Sequence, residues 1–212
     1  MYRFLALFAL LVLVTATATN HKADASTVLK YGSEGQAIPD LQFRLQTMGY
    51  YNLPIDSSFG KVTRSAVQRF QKNNGLQSDG VVGPRTWAKL KKLSVNKKEL
   101  SMLARVIYAE ARGEDYKGQV AVGAVVMNRL QSSKFPKTVK EVIMEPNAFS
   151  AVKDGQYWLI PNQTAFKAAK AAVKGMDPTG NALFYFNPDI SKSSWFKTRT
   201  ATKKIGNHLF TL

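Results

Sequence analysis

The sequence predicts a mainly α protein in two folded parts: a three-helix bundle over residues 29–93, then an α+β domain over residues 97–212 with a small β-sheet. Three observations predict it. A turn-and-helix pattern occurs twice in the first part. Apolar residues recur at helical spacing through the middle of the chain. Strand composition is confined to the C-terminal end, where Gly206-Asn207 separates two short runs in the manner of a β-hairpin.

A different kind of segment precedes both parts. Arg3 leads an apolar run from Phe4 to Val14, followed by small polar residues and Ala23-Asp24-Ala25, which has the form of a cleavage site. Residues 1–25 read as a secretory signal peptide. The run is short for a membrane span, and a retained N-terminal anchor is the alternative. Either reading exports the remainder, and cleavage leaves no stable membrane span.

Losing residues 1–25 removes Arg3, Lys22, Asp24 and His21, which lowers the net charge by one from +16 and leaves His208 as the single histidine. The chain has no cysteine. Cysteine nucleophiles are therefore excluded, a zinc centre lacks its usual His and Cys ligands, and a Ser-His-Asp triad would depend on His208 alone. With no dense aspartate cluster either, neither a metal nor a cofactor is expected. Carboxylate chemistry survives. An exported protein this basic is drawn to an anionic polymer of a cell wall, a membrane surface or extracellular nucleic acid. Its longest basic runs are pairs such as Lys91-Lys92 and Lys203-Lys204, and no zinc finger, RNP motif or basic heptad occurs, so nucleic acid is not the expected partner.

In the first part, Asp56-Ser-Ser-Phe59-Gly60-Lys-Val-Thr63 is echoed by Asp79-Gly-Val-Val82-Gly83-Pro84-Arg-Thr86. Each copy reads as a turn leading into a helix, with Gly60 and Gly83 supplying the turn and Pro84 at a first helical position. Helices are expected at about 38–48, 61–73 and 84–93, with Gly49 and Gly75 as C-terminal caps. Leu41, Phe43, Leu45, Val62, Val67, Phe70, Trp87 and Leu90 would fill the core. This pattern resembles the type-1 peptidoglycan-binding module of bacterial wall enzymes. The match runs through Gly35, Leu41-Gln42, Leu45, Gly49-Tyr50, Asp56, Phe59-Gly60, Thr63, Phe70-Gln71, Asp79-Gly80, Val82-Gly83, Thr86-Trp87 and Leu90. Ser57 departs from it, where the family usually has glycine. The resemblance implies wall binding, with peptidoglycan and other anionic wall polymers as partners, and does not say which residues touch glycan.

Asn96 and Glu99 form a capping-box pattern that opens the second part. Leu100, Leu103, Ala104, Ile107 and Ala111 then share one helical stripe, and Glu110 shares it too. A carboxyl group on a buried stripe is costly to ionise and suits a general acid. Alternatively the helix is ending and Glu110 points to solvent. Further helices are expected at about 116–131, 138–144 and 162–174, the first of them apolar nearly all round and central. Strands are expected at 182–186, 203–205 and 208–210.

The second part resembles the SleB/CwlJ family of bacterial cell-wall hydrolases, which includes spore cortex-lytic enzymes. Tyr108-Ala-Glu110-Ala-Arg112-Gly113-Glu114, Gly118-Gln-Val-Ala-Val122, Asn128-Arg129, Phe135-Pro136, Glu145-Pro146, Ala148-Phe149, Asp154-Gly155, Ala182-Leu-Phe-Tyr185-Phe-Asn187-Pro188 and Ile205-Gly206-Asn207-His208 carry the match. It implies a lysozyme-like helical domain with a minor sheet, and places the family's catalytic glutamate on Glu110. It also implies action on muramic acid–glucosamine linkages, several members being lytic transglycosylases. A transglycosylase needs one carboxyl group, whereas a true muramidase or glucosaminidase would want a second from Glu114, Glu145, Asp154 or Asp189. Glu114 and Asp115 also read as helix-start residues, and the other three as turn or surface charges. Phe149, Ser150, Tyr157, Trp158, Tyr185 and Asn187 are the candidate glycan contacts, although Phe149 and Tyr185 read equally well as core. His208 reads as structural. A wall-binding protein on a decayed enzyme domain is the competing function. Whether the wall is spore cortex or vegetative stays open.

Overall fold

The computed structural model describes residues 28–191 and 198–212, so the expected signal peptide lies outside the described residues. The chain is helical first and β-stranded last, as expected. Helices α1 (Ala37–Thr47), α2 (Lys61–Asn73) and α3 (Pro84–Leu93) enclose one core built from residues such as Leu41, Leu45, Phe59, Val67, Phe70, Trp87 and Leu90.

Two buried glutamines explain the echo. The Gln42 amide nitrogen donates to Asp56 Oδ1 at 2.7 Å, the Ser58 carbonyl at 3.0 Å and Thr63 Oγ1 at 3.1 Å. Its oxygen accepts from the Asp56 N–H at 2.8 Å. Gln71 repeats the arrangement with Asp79 at 2.9 Å, the Val81 carbonyl at 2.9 Å, Thr86 at 3.2 Å and the Gly80 N–H at 2.9 Å. Each glutamine thus staples a turn to the helix that follows it, and none of its own polar atoms is left unpaired in the core.

Details of the first part differ from expectation. Gly49 and Gly75 close α1 and α2 at φ +84° and +69°, in the left-handed region a C-terminal cap requires. Gly60 and Gly83 do not make the turns. They are N-caps in extended backbone, at φ −81° and −90°. Val62 is not core but 41 % exposed, because α2 buries the stripe Thr63, Ala66, Val67 and Phe70 instead. Phe43 leaves the first core altogether and packs against the second.

The second part contains α4 (Lys97–Ala111), α5 (Tyr116–Gln131), α6 (Val139–Met144), α7 (Ser150–Lys153), a 3₁₀ turn at Gln156–Trp158, and α8 (Gln163–Val173). Strands β1 (Phe184–Phe186), β2 (Ala201–Ile205) and β3 (His208–Thr211) form an antiparallel sheet in the order β1-β3-β2. α5 buries twelve of its sixteen residues and packs between α4, α8 and the sheet. Ala121 and Val125 on its sheet-facing side meet Ala182, Ile205 and Phe210. α7 and the 3₁₀ turn had no counterpart in the sequence reading, since elements this short show no period.

The expected capping box opens α4. Asn96 Oδ1 accepts from the Glu99 N–H at 2.8 Å, and Glu99 Oε2 accepts from the Asn96 N–H at 2.7 Å. Glu99 also pairs with Arg44 of α1 at 3.2 Å, and Arg44 donates to the Ser94 carbonyl at 3.2 Å. Arg44 is buried, so this bridge and Phe43 join the two parts without a long linker. Among the described residues no helix is long and apolar enough to cross a membrane.

Candidate active site

Glu110 lies in the last turn of α4 and is half-buried. The stripe that carries it is buried throughout, and its part-exposed carboxylate is held by donors from other elements. The Ala151 N–H donates to Oε1 at 2.7 Å. Ser150 Oγ lies 3.2 Å from Oε1 and 3.4 Å from Oε2, and Tyr185 Oη donates to Oε2 at 3.0 Å. Ser150 and Ala151 open α7, where backbone N–H groups have no intrahelical acceptor and are free to serve a carboxylate. Tyr185 stands on β1. Its ring sits among Phe149 at 6.4 Å, Phe210 at 5.7 Å and His208 at 5.0 Å. Burial, and then the Glu110 charge, push its phenol well above the usual value, so it remains a protonated donor.

The sequence-derived contact residues separate into three groups. Ser150 and Tyr185 meet at Glu110. Phe149 and Tyr157, at 3 % and 2 % exposed, are core residues and cannot offer a face to a sugar. Trp158 is 68 % exposed, and Arg105 of α4 holds its loop by donating to the Trp158 and Leu159 carbonyls at 3.1 and 3.2 Å. Asn187 is half-buried beyond β1 and accepts from the Asp189 N–H at 2.9 Å.

The carboxylates divide as well. Asp115 is a helix-start residue, accepting from the Gly118 N–H at 2.7 Å. Glu114 is not. It accepts from Asn207 Nδ2 at 2.9 Å and the Asn207 N–H at 3.3 Å, and lies 3.9 Å from His208 Nδ1, tying the end of α4 to the β2–β3 hairpin. A Cβ on Gly206 would fall 1.8 Å from Glu114 Oε2, so that approach needs glycine. Asp154 serves the Gln156 turn, Asp189 sits in the turn with Asn187, and Glu145 is exposed after α6. His208 packs on Tyr185, in keeping with a structural role. Burial holds it below its usual 6.5, against the opposing pull of the Glu114 and Glu110 charges.

Two residues named in the resemblance, Arg129 and Asn128, are given no role at the site by the sequence. Arg129, the only charge between Gly118 and Leu130, is buried. Its Nε donates to the Leu183 carbonyl at 2.7 Å, and its guanidinium faces the rings of Phe149 at 4.9 Å, Phe135 at 5.1 Å and Phe184 at 5.4 Å. A lone charge inside an apolar helix was the signal that could have found it. Asn128 beside it donates to Asp177 at 3.0 Å and to the Ala182 carbonyl at 3.1 Å, anchoring the approach to β1. Burial pushes Asp177 up, but bonds from Thr179, Asn128 and Asn181 outweigh it and hold the carboxyl below its usual range.

Residues 113–211 match the cell wall hydrolase family, and residues 34–90 match the peptidoglycan binding domain family. The spore cortex-lytic enzyme of Bacillus cereus is 40 % identical over 229 aligned residues, covering 90 % of this chain and 88 % of that one. This chain belongs to the spore cortex-lytic enzyme family of cell-wall hydrolases. Two solved structures agree over the second part. The catalytic domain of the Bacillus cereus SleB protein is 53 % identical with a TM-score of 0.54, covering 56 % of this chain and 93 % of that one. The catalytic domain of the germination-specific lytic transglycosylase SleB from Bacillus anthracis is 54 % identical, also with a TM-score of 0.54, covering 56 % and 97 %. The match to the cell wall hydrolase family begins at Gly113, just past Glu110, and so does not itself include that carboxylate.

Proposed function

We propose that this protein is exported and cleaves the muramic acid–glucosamine linkage of peptidoglycan in the spore cortex as a lytic transglycosylase, with Glu110 as acid and then base. The observation that carries it is the Glu110 carboxyl group held by Ser150, Ala151 and Tyr185 at the edge of the second part. Residues 29–93 bring that site to the wall, other anionic wall polymers adding to the attraction of a strongly basic chain.

Glu110, carrying a proton, gives it to the glycosidic oxygen as the bond to muramic C1 breaks and positive charge develops on the ring. The leaving glucosamine departs with that proton as its hydroxyl. The muramic C6 hydroxyl oxygen bonds to C1 and its proton returns to the Glu110 carboxylate, so no water is consumed. The anhydro product is balanced by one recycled proton. Glu114 and Asp154 are each occupied by partners of their own, Asn207 and Gln156, which favours a mechanism with one carboxyl group over one with two. A catalytic metal has no part in it, and activity should survive chelation.

Glu110→Gln keeps the side chain's size and removes the transferable proton. Turnover should fall by roughly 10²–10⁴-fold while the fold and wall binding persist. Wild-type products should end in 1,6-anhydromuramic acid, one water lighter by mass spectrometry than a hydrolytic reducing end. Near-normal cleavage by Glu110→Gln would overturn the assignment of the residue. Reducing ends would overturn the transglycosylase reading and redirect attention to Glu145 and Asp189.

A further inference from the structure

Arg129 presents an unresolved balance. It is 5 % exposed, yet among the described residues it pairs with no carboxylate. Its Nε is committed to the Leu183 carbonyl, and its Nη1 has no hydrogen-bond acceptor. Burying a cation is expensive unless it is paired, and three aromatic faces return only part of the loss. Arg129 lines a cavity of about 220 Å³ together with Phe135, Glu145, Asn147, Ala148 and Tyr185. Tyr185 is the same residue that donates to Glu110, so the cavity adjoins the candidate catalytic carboxylate across one side chain.

We propose that this cavity is the subsite for the 3-O-lactyl arm of the muramic acid unit, with Arg129 binding the carbonyl or carboxylate oxygen at the end of that arm. The inference rests on the reading of Glu110 as a glycan-cleaving acid and adds the means of telling the two sugars apart. A guanidinium seeks a planar oxygen acceptor. Both wall sugars carry hydroxyl and acetamido groups, but only muramic acid carries a branched three-carbon arm ending in such an acceptor. The apolar part of that arm suits Phe135 and Ala148, and its oxygen suits Arg129. Glu145 stands exposed at the rim, so the mouth is acidic while the floor is cationic. A neutral, peptide-linked arm therefore enters against less repulsion than a free carboxylate.

The test uses the full chain with Glu110→Gln, which binds without cleaving. Calorimetric titration compares a glucosaminyl-muramyl disaccharide with a free lactyl carboxylate, the same disaccharide amide-linked to a dipeptide, and N,N′-diacetylated chitobiose, which keeps the acetamido groups and lacks the arm. Both muramyl ligands should bind about 10- to 100-fold more tightly than chitobiose, the range for a hydrogen bond to a charged group, with the peptide-linked one at least as tight as the free acid. Adding Arg129→Met should abolish the preference. Ala148→Leu, which fills the cavity while leaving Arg129 in place, should abolish it too and carries the test if Arg129→Met does not fold. Absence of a muramyl preference, or a preference that survives both substitutions, overturns the subsite. If the wild-type chain fails to cleave cortex at all, the reading of Glu110 falls instead, so the two failures are distinct.

Discussion

Residues 29–93 and 97–212 are held together by interactions of very different reach. In the first part, Gln42 finds its side-chain and carbonyl acceptors 14, 16 and 21 positions away, and Gln71 finds them at 8, 10 and 15. In the second, Glu110 is held by donors 40, 41 and 75 positions away, brought in by α7 and β1. The first arrangement is local and is used twice. The second exists only when the end of α4, the start of α7 and the sheet have all docked. A binding module built from short-range staples can fold by itself, whereas the candidate site inherits the stability of every element around it.

The sharpest way to break this comparison is to cut the chain between the parts. A fragment beginning at Ser94 should retain cleavage of small soluble glycans while its retention on insoluble sacculi drops by about 10²- to 10⁴-fold, the range for losing one of two linked binding modules. The cut also removes Arg44 and Phe43, leaving Glu99 without its cross-part partner and exposing apolar surface, so the fragment should melt below the intact chain. A folded fragment inert on every soluble glycan would show that the division of labour is wrong.

Tyr185→Phe addresses the long-range side alone. It deletes one donor to Glu110 and leaves the ring packing in place. Loss of a hydrogen bond to a charged group should lower turnover by about 10- to 100-fold. Sacculus binding should not change. Unaltered turnover, measured on soluble glycan, would mean that the sheet merely stands beside the site.

That difference in reach also decides how much was legible. The helix spans of the first part and the capping box at Asn96 and Glu99 were readable because sequence neighbours determine them. Glu110 was readable as a residue on a buried stripe. Its partners were not all equally visible: Ser150 and Tyr185 appeared as contact candidates, but nothing in the sequence brought them to the same carboxylate. Tyr157 misled, and Phe149 stayed open between the two readings, because an aromatic residue in a loop looks alike whether it faces sugar or core. Glu114 was misread for a similar reason. Its neighbour Asp115 does cap α5, while Glu114 turns toward Asn207, 93 positions on.

Gln42→Leu and Gln71→Leu test the repeated staple. Each keeps an apolar core volume but strands the turn's polar groups, and each should lower the stability of the first part by about 1–3 kcal/mol. The two losses should be similar, and soluble-glycan cleavage should not follow them. One glutamine tolerated and the other not, in thermal melts of the two variants, would show that the two staples are not equivalent.

Acidity should separate the two parts by a smaller margin. Burial lowers the His208 pKa below 6.5, so the folded protein favours neutral imidazole more strongly than the unfolded chain does. The stabilisation is complete above about 6.5 and declines as pH falls from there toward the folded value, because the unfolded chain takes up its proton first. Asp177, Asp56 and Asp79 act in another window. Each is held below the usual 3.8, so each contributes stability above that value and loses it only as pH falls through its lower folded value. Mild acid should therefore loosen the second part, through the hairpin that presses His208 on Tyr185, while the glutamine-stapled part holds until stronger acid. Amide hydrogen exchange read separately for residues 29–93 and 97–212, corrected for the intrinsic pH dependence of exchange, should show protection falling first in β2, β3 and the end of α4. His208→Gln should flatten that dependence. A uniform loss of protection across both parts just below pH 6.5 would mean that the two regions do not differ in the way their hydrogen bonds suggest.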